Sequence, residues 1–419
     1  MPKATNFPKK FLWGASISAH QAEGGNHNQW TVWEHDNAKS LATQAPYQYS
    51  DLESWASIAS QAKQAENYIS GKASDHWSQW REDIDIAAEL GLNSLRFSIE
   101  WSRIEPTEGA WNTEAMQHYK DYLAELKRHD ITPIVTLFHF TLPVWFAQKG
   151  GFAKRSNVEY FSRFVSKVTE ELGANLGYVI TINEPTVYAG LSYGSGVWPP
   201  NVSSKYRMWR VLENLQLAHK QAAKILHTRS RRINVSMAHN LSYVYAGDDA
   251  RLSIWSARVI DYIVNHYSLR RSLRHSDFIG VNYYFSSRVY GYRIHNPDER
   301  LSDLGWDLQP GNLRYLLEDL AERYHKPLIV TENGLADGED KDRAWWLSQT
   351  VQAISLARQN GADVRGYIHW SLLDNFEWDK GFWPRFGLVA IDYQTGKRTI
   401  RNSAKRFARL LPRLKGEKT

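Results

Sequence analysis

The sequence predicts an α/β protein built as a single (β/α)8 barrel. Three observations predict it. Eight short apolar runs of β character recur along the chain, longer amphipathic stretches separate them, and no linker, internal repeat or low-complexity segment divides the 419 residues. Dividing that length by a typical domain size gives two or three domains, but barrels with loop insertions routinely reach it as one, so the reading is one barrel domain over 1–419.

The runs, in order, are Phe11–Ala15, Ser94–Glu100, Pro133–Phe138, Tyr178–Ile182, Ile233–Ala238, Phe278–Tyr283, Leu328–Thr331 and Val364–Trp370. Several are almost uninterrupted in apolar residues, as parallel strands covered on both faces should be. Between the third and fourth lies Ser156, placed as the N-cap of a helix to Leu172. Glu159 completes a capping box, and Gly173 marks the stop. Glu114–Arg128 carries Ala115, Met116, Tyr119, Tyr122, Leu123 and Leu126 at close to a 3.6-residue period. The polar segment Lys39–Ser74, rich in Ala, Gln and Ser, reads as a long βα excursion near 36–76 rather than a second domain.

Composition is that of an ordinary water-soluble chain, with 42% hydrophobic and 23% charged residues. Cysteine is absent, which excludes disulfides, thiolate metal sites and a cysteine nucleophile. No apolar leader or membrane-length run is present, so a cytoplasmic protein with no membrane partner is expected. The net charge of +6 gathers in Arg229-Ser230-Arg231-Arg232, Arg270-Arg271 and the tail Lys405 to Lys418. Interleaved acids and the lack of a nucleic-acid motif favour solvated helix faces and no nucleic-acid partner. No ligand spacing for a metal and no Gly-rich phosphate loop occurs, so neither metal nor cofactor is expected. The 18 Trp and 22 Tyr fit equally a large aromatic core and a cleft in which rings stack on sugar faces.

Two of the runs end alike. Tyr178-Val179-Ile180 leads into Thr181-Ile182-Asn183-Glu184-Pro185, and Leu328-Ile329-Val330 into Thr331-Glu332-Asn333-Gly334. Active sites of such barrels lie at the C-terminal strand ends, so strands 4 and 7 would bring Glu184 and Glu332 face to face across the mouth. Two facing carboxyls are the equipment for breaking a glycosidic bond, one protonating the leaving oxygen and the other attacking the sugar. Each glutamate alone fits a barrel-mouth salt bridge; the matched pair favours catalysis. Glu184 would be the proton donor, with Asn183 bonding the hydroxyl beside the reacting carbon. Glu332 would be the nucleophile, kept ionised by Arg96 and oriented by Asn282 and Tyr284. Arg96 fits a structural ion pair as well, and His139 fits both a packed histidine and a sugar contact. Trp370 to Trp378 offers a carboxylate, Glu377, able to take two hydroxyls, between indoles that suit a sugar face or the core.

These motifs, with Phe11-Leu12-Trp13-Gly14-Ala15, Gln21-Ala22-Glu23-Gly24, Arg96-Phe97-Ser98, Asn282-Tyr283-Tyr284 and Arg385-Phe386-Gly387-Leu388, resemble glycoside hydrolase family 1, the retaining β-glycosidases, along nearly the whole chain. The resemblance implies that Glu184 is the acid/base and Glu332 the nucleophile. It implies that Gln21, His139, Asn183, Glu377 and Trp378 hold the non-reducing sugar over Trp370, with Phe386 near its O6 edge and Arg96, Asn282 and Tyr284 supporting the nucleophile. An intact Glu377 implies an unphosphorylated substrate, because an acid there would repel phosphate. Two positions depart from the family: Phe140 stands where Trp is common, and His20 where Tyr is frequent. The chain is also short near 240–275, around Ala246–Ser272, which would leave the aglycone side open or partly disordered. The expectation is a retaining exo-β-glycosidase, a β-glucosidase with side activity on β-galactosides or β-fucosides, acting on a small β-glucoside or oligosaccharide. A transglycosylase and a non-catalytic sugar-binding barrel remain the alternatives.

Overall fold

The eight apolar runs close on one another in the computed structural model, which describes residues 7–297 and 299–416. The strands are β1 (Leu12–Ser16), β2 (Ser94–Ser98), β3 (Thr132–Thr136), β4 (Tyr178–Asn183), β5 (Asn234–Asn240), β6 (Ile279–Asn282), β7 (Leu328–Glu332) and β8 (Val364–Trp370). All pair in parallel, and β8 closes on β1, so the sheet has no free edge. One residue set points inward, and Leu12, Ile134, Ile180, Ala238, Phe278, Ile329 and Ile368 fill the barrel interior. The alternate set, including Val179, Val235, Val281, Val330 and Val364, packs under the helices. That two-sided burial is why the strands read as continuous apolar runs.

The outer layer includes α1 (Gln29–Tyr49), α2 (Trp55–Ala62), α3 (His76–Glu89), α4 (Thr113–Arg128), α5 (Val158–Leu172), α6 (Lys205–Arg229), α7 (Arg251–Asp261), α8 (Leu313–Tyr324), α9 (Arg343–Gln359) and α10 (Asn402–Leu414). Helix α4 buries the six apolar residues its period marks out, and Asn112 caps it by accepting from Ala115 N. The α5 reading holds at its end, Leu172 with Gly173 as the C-cap, and needs correction at its start. Ser156 lies in a 3-10 turn, Arg155–Asn157, and the helix begins at Val158 without a side-chain cap. Asn157 instead turns its amide back to the carbonyls of Lys149 and Gly151. Gly173 is the C-cap, as read, but with a right-handed φ of −56°, and the chain passes from it into another 3-10 turn.

The excursion after β1 is helical. Ala38, Ala42 and Ala45 bury the inner side of α1, a face too weakly hydrophobic to stand out in the sequence. The segment between β5 and β6 is folded: the strand Tyr243–Ala246, α7, a wider turn Tyr262–His266, and the helix Tyr267–Ser272. Tyr243–Ala246 pairs in parallel with Ser286–Tyr290, which pairs antiparallel with Arg293–Ile294. Among the described residues no helix is long and apolar enough to cross a membrane.

Candidate active site

Directly above the apolar barrel interior the inward side chains become polar, and they converge. Arg96, from β2, is buried and fully engaged. Its Nε donates to Thr136 Oγ1 at 3.1 Å, Nη1 to Glu332 Oε1 at 2.7 Å and to the Thr331 carbonyl at 3.0 Å, and Nη2 to Asn183 Oδ1 at 2.6 Å. The hydroxyl of Tyr284 donates to Glu332 Oε2 at 2.7 Å. Burial raises the Glu332 pKa above its ordinary value, while the Arg96 guanidinium and the Tyr284 hydroxyl oppose that rise.

Glu184 sits where β4 turns into the short helix Pro185–Ala189, with Pro185 at its first position. Its φ of 42° is left-handed, as are those of Phe140 (71°) and Trp378 (52°). Three non-glycine residues of one cavity thus hold a conformation that costs about 1–3 kcal/mol each, a cost that persists where surrounding structure over-determines the backbone. Asn282 Nδ2 donates to Glu184 Oε1 at 2.8 Å and to Asn183 Oδ1 at 3.2 Å, and Asn240 Nδ2 donates to the same Oε1 at 3.2 Å. The amide of Asn282 thus serves Glu184 and Asn183 directly, and it also lies close enough to Glu332 to favour that carboxylate. Thr331 fixes the other end of the amide by donating to Asn282 Oδ1 at 2.7 Å. Burial, and then the charge of Glu332, push Glu184 up to about 8.

The cavity over this pair measures about 480 Å3. Gln21, His139, Asn183, Glu184, Tyr284, Glu332, Trp370, Glu377, Trp378 and Phe386 all line it, while Arg96 and Asn282 lie beneath. Gln21 Nε2 donates to Glu377 Oε2 at 3.1 Å, and its own oxygen takes the Ser18 hydroxyl at 2.7 Å. Burial pushes Glu377 up to about 8, opposed first by Lys380; the part of Glu377 open to the cleft lets water oppose it further. His139 is held well below its ordinary pKa by burial and then by Arg96. It is therefore neutral, which suits its acceptance of the Asn183 amide at 3.3 Å. Its ring stacks on those of Trp370 and Trp378 at 5.8 and 6.1 Å.

The two unusual positions pack in the wall of this cavity or just behind it. Phe140 meets Trp378 and Trp198 at 5.2 and 5.1 Å and carries no polar atom into the pocket. His20 stacks on the far face of Trp378 at 5.4 Å and bonds Glu34 at 2.7 Å. The abundant tryptophans serve both purposes: Trp13, Trp30, Trp101 and Trp346 are fully buried, whereas Trp198, Trp306, Trp370 and Trp378 face the cavity. Sequence reasoning missed Asn240, whose only signal is its place at the end of β5. It also missed Trp306 and Leu304, which come from an irregular loop, and Gln48, Tyr49 and Leu52, which the excursion folds onto the rim.

Behind the cavity, Asn333 ties β7 to the helices. Its oxygen accepts from Trp346 Nε1 at 2.8 Å and Thr350 Oγ1 at 3.2 Å, and its amide donates to the Tyr283 carbonyl at 2.7 Å. Gly334 follows with no room for a side chain, since a Cβ would stand 1.8 Å from the Trp370 carbonyl oxygen.

Comparison with known proteins identifies the family. The family description "Glycosyl hydrolase family 1" matches residues 3–271 and 263–415. Beta-glucosidase A of Thermotoga maritima is 30% identical over 95% of this chain and 96% of its own. The chloroplastic galactolipid galactosyltransferase of Arabidopsis thaliana is 33% identical over 80% of this chain and 57% of its own. A solved beta-glycosidase from Pyrococcus horikoshii superposes with a TM-score of 0.85 at 34% identity, covering 97% of this chain and 95% of that one. With the match extending along both halves of the barrel, the chain belongs to glycosyl hydrolase family 1.

Proposed function

We propose that this glycoside hydrolase is a retaining exo-β-glycosidase, a β-glucosidase that takes unphosphorylated β-glucosides and admits β-galactosides or β-fucosides. One observation carries the reading: a single cavity holds two carboxyls in unlike surroundings, Glu184 bonded by two asparagine amides and Glu332 paired with the buried guanidinium of Arg96. Both asparagine amides donate to Glu184 Oε1, so the proton belongs on Oε2. In the first step that proton passes to the glycosidic oxygen as its bond to C1 breaks, and Glu332 attacks C1 to form a glycosyl ester. Once Glu332 is esterified its charge is gone, and the second-largest cause holding Glu184 protonated goes with it. Glu184 then removes a proton from water, the oxygen attacks C1, and Glu332 leaves.

The sugar lies over Trp370, with Gln21, His139, Asn183 and Glu377 taking its hydroxyls, Trp378 beside it and Phe386 at its O6 edge. The carboxyl of Glu377, bonded to Gln21, offers a sugar phosphate no cation, which supports an unphosphorylated substrate. Hydrolysis of p-nitrophenyl β-glucoside, β-galactoside, β-fucoside, β-mannoside and 6-phospho-β-glucoside tests the reading. Turnover of the unphosphorylated β-glucoside is expected. Silence on all five overturns catalysis in favour of sugar binding, and activity confined to the phosphorylated sugar overturns the role of Glu377. The likeness to a galactosyltransferase supports one second reading, transfer of the sugar to an acceptor other than water. Product analysis at high acceptor concentration separates the two.

A further inference from the structure

Helix α7 and the turn that continues it reverse the usual amphipathic arrangement. Leu252, Trp255, Val259, Tyr262 and Ile263 recur along one side at helical spacing, and all are exposed, Trp255 at 63% and Ile263 at 60%. The inward side, which packs over the strands Tyr243–Ala246 and Ser286–Tyr290, carries Ser253, Ser256 and Ala257, and the turn adds Asn265 and His266, all buried. A helix held on by small and polar residues, with its bulky apolar residues in water, leaves its hydrophobic face without a partner. Neighbouring elements widen the patch. Exposed Trp209 on α6 donates its indole N–H to the Tyr267 hydroxyl at 2.8 Å. Gly291 N donates to Ser253 Oγ at 2.8 Å, which sets exposed Tyr292 and Ile294 beside the start of α7.

Charge identifies what covers this face. Residues 205–293 contain fifteen Lys and Arg against five Asp and Glu, a surplus of ten in a chain whose total is +6, so the remainder of the chain is net negative. Arg251 and Arg258 flank the stripe, and neither has an ion pair among the described residues. At its far end Tyr262 and Tyr267 enter a cleft of about 950 Å3 whose walls include Lys220, Arg270, Arg274 and Lys326. The one carboxylate among the described residues lining it, Glu213, is already paired with Arg271 at 3.1 Å. A second copy of the chain packed about a two-fold axis would set this positive surface against itself. A bilayer with anionic headgroups supplies apolar depth for the stripe and phosphates for the arginines around it.

We propose that this face docks on an anionic phospholipid surface, with Leu252, Trp255, Val259, Tyr262 and Ile263 entering the headgroup boundary and the basic cleft taking a lipid phosphate. For this region the proposal replaces the solvated-face reading of Arg270-Arg271 and the expectation of no membrane partner. The test is co-sedimentation of the full chain with phosphatidylcholine vesicles, with and without phosphatidylglycerol. The chain is expected to pellet with the anionic vesicles and to be released by salt. In Arg270→Ser/Arg274→Ser each lost arginine should weaken binding about fivefold. Trp255→Ser/Ile263→Ser should abolish pelleting while leaving turnover of a soluble aryl glucoside unchanged, which verifies the fold. Equal pelleting with neutral and anionic vesicles, or binding indifferent to Trp255→Ser/Ile263→Ser, overturns the proposal. So does a dimer, seen by light scattering, that those two substitutions dissociate without any vesicle binding; the stripe would then be a subunit interface.

Discussion

Replacing Gly334 by alanine tests whether Glu332, the proposed nucleophile, and Trp370, the proposed floor of the pocket, are held by one backbone contact. The alanine Cβ would stand 1.8 Å from the Trp370 oxygen and 2.9 Å from its carbonyl carbon, whereas real contacts essentially never fall below 3.0 Å. The ends of β7 and β8 must therefore part by about 1.2 Å, and both atoms are backbone, so no side-chain rotation absorbs the movement. One end carries Glu332 two residues back, and the other carries Trp370 itself. A misplacement of about 1 Å in reacting groups costs about 100-fold in rate, and overpacking of this kind costs about 1–3 kcal/mol of stability. Gly334→Ala is thus expected to lose about two orders of magnitude in kcat on an aryl β-glucoside, with a smaller rise in KM and a melting temperature lower by several degrees. Gly311→Ala is the control, because a Cβ there meets nothing within 4 Å. A Gly334→Ala enzyme with kcat within about threefold of wild type would refute the argument that this contact sets the geometry of the reacting groups.

Four other outcomes follow from the same structure. Glu332→Ala should abolish turnover, and a small anion such as azide should restore it by taking the place of the lost carboxylate; wild-type-like activity would end the nucleophile assignment. The proposed mechanism requires Glu184 protonated and Glu332 ionised, so kcat/KM should fall above about pH 8 as Glu184 loses its proton and fall in acid as Glu332 gains one. In Glu332→Gln the Glu184 carboxyl, followed by carbon NMR, should titrate lower, yet still above its ordinary value because burial remains the larger cause. Arg398→Met should destabilise the fold by about 3–5 kcal/mol, because Asp83, which also binds His76 at 2.7 Å, is left buried with half its partners. Burial raises the Asp83 pKa, but His76 and Arg398 outweigh it and hold the carboxyl below its ordinary value. Its contribution is therefore present above the unfolded carboxylate range and lost as pH falls through the folded value, a slope that chemical denaturation at several pH values should find reduced in the variant.

The barrel was legible because its strands are buried on both faces. Val364–Trp370 was read with its observed limits, and the other seven within one or two residues at each end. The site was legible because its side chains stand at strand ends, where position alone separates Glu184 and Glu332 from surface acids. What depends on tertiary fit was not. The cap at Ser156 failed because Asn157 found better partners in the carbonyls of Lys149 and Gly151. The rim formed by Gln48, Tyr49 and Leu52 lies at the end of a helix whose later turns bury Ala38, Ala42 and Ala45. Helix α7 shows the limit most clearly. The spacing of Leu252, Trp255 and Val259 marks one side of a helix, but periodicity does not say whether that side meets the barrel or the solvent.

Arg96 has one further consequence. With the roles proposed above, the resting pair holds one negative charge, on Glu332, and the glycosyl-enzyme again holds one, on Glu184. The guanidinium touches Glu332 directly and reaches Glu184 through the oxygen of Asn183 and the amide of Asn282. Arginine keeps its proton throughout, so this buried trio is electrically neutral at every resting stage of the cycle. Within this trio the negative charge changes owner without a counter-ion having to enter or leave.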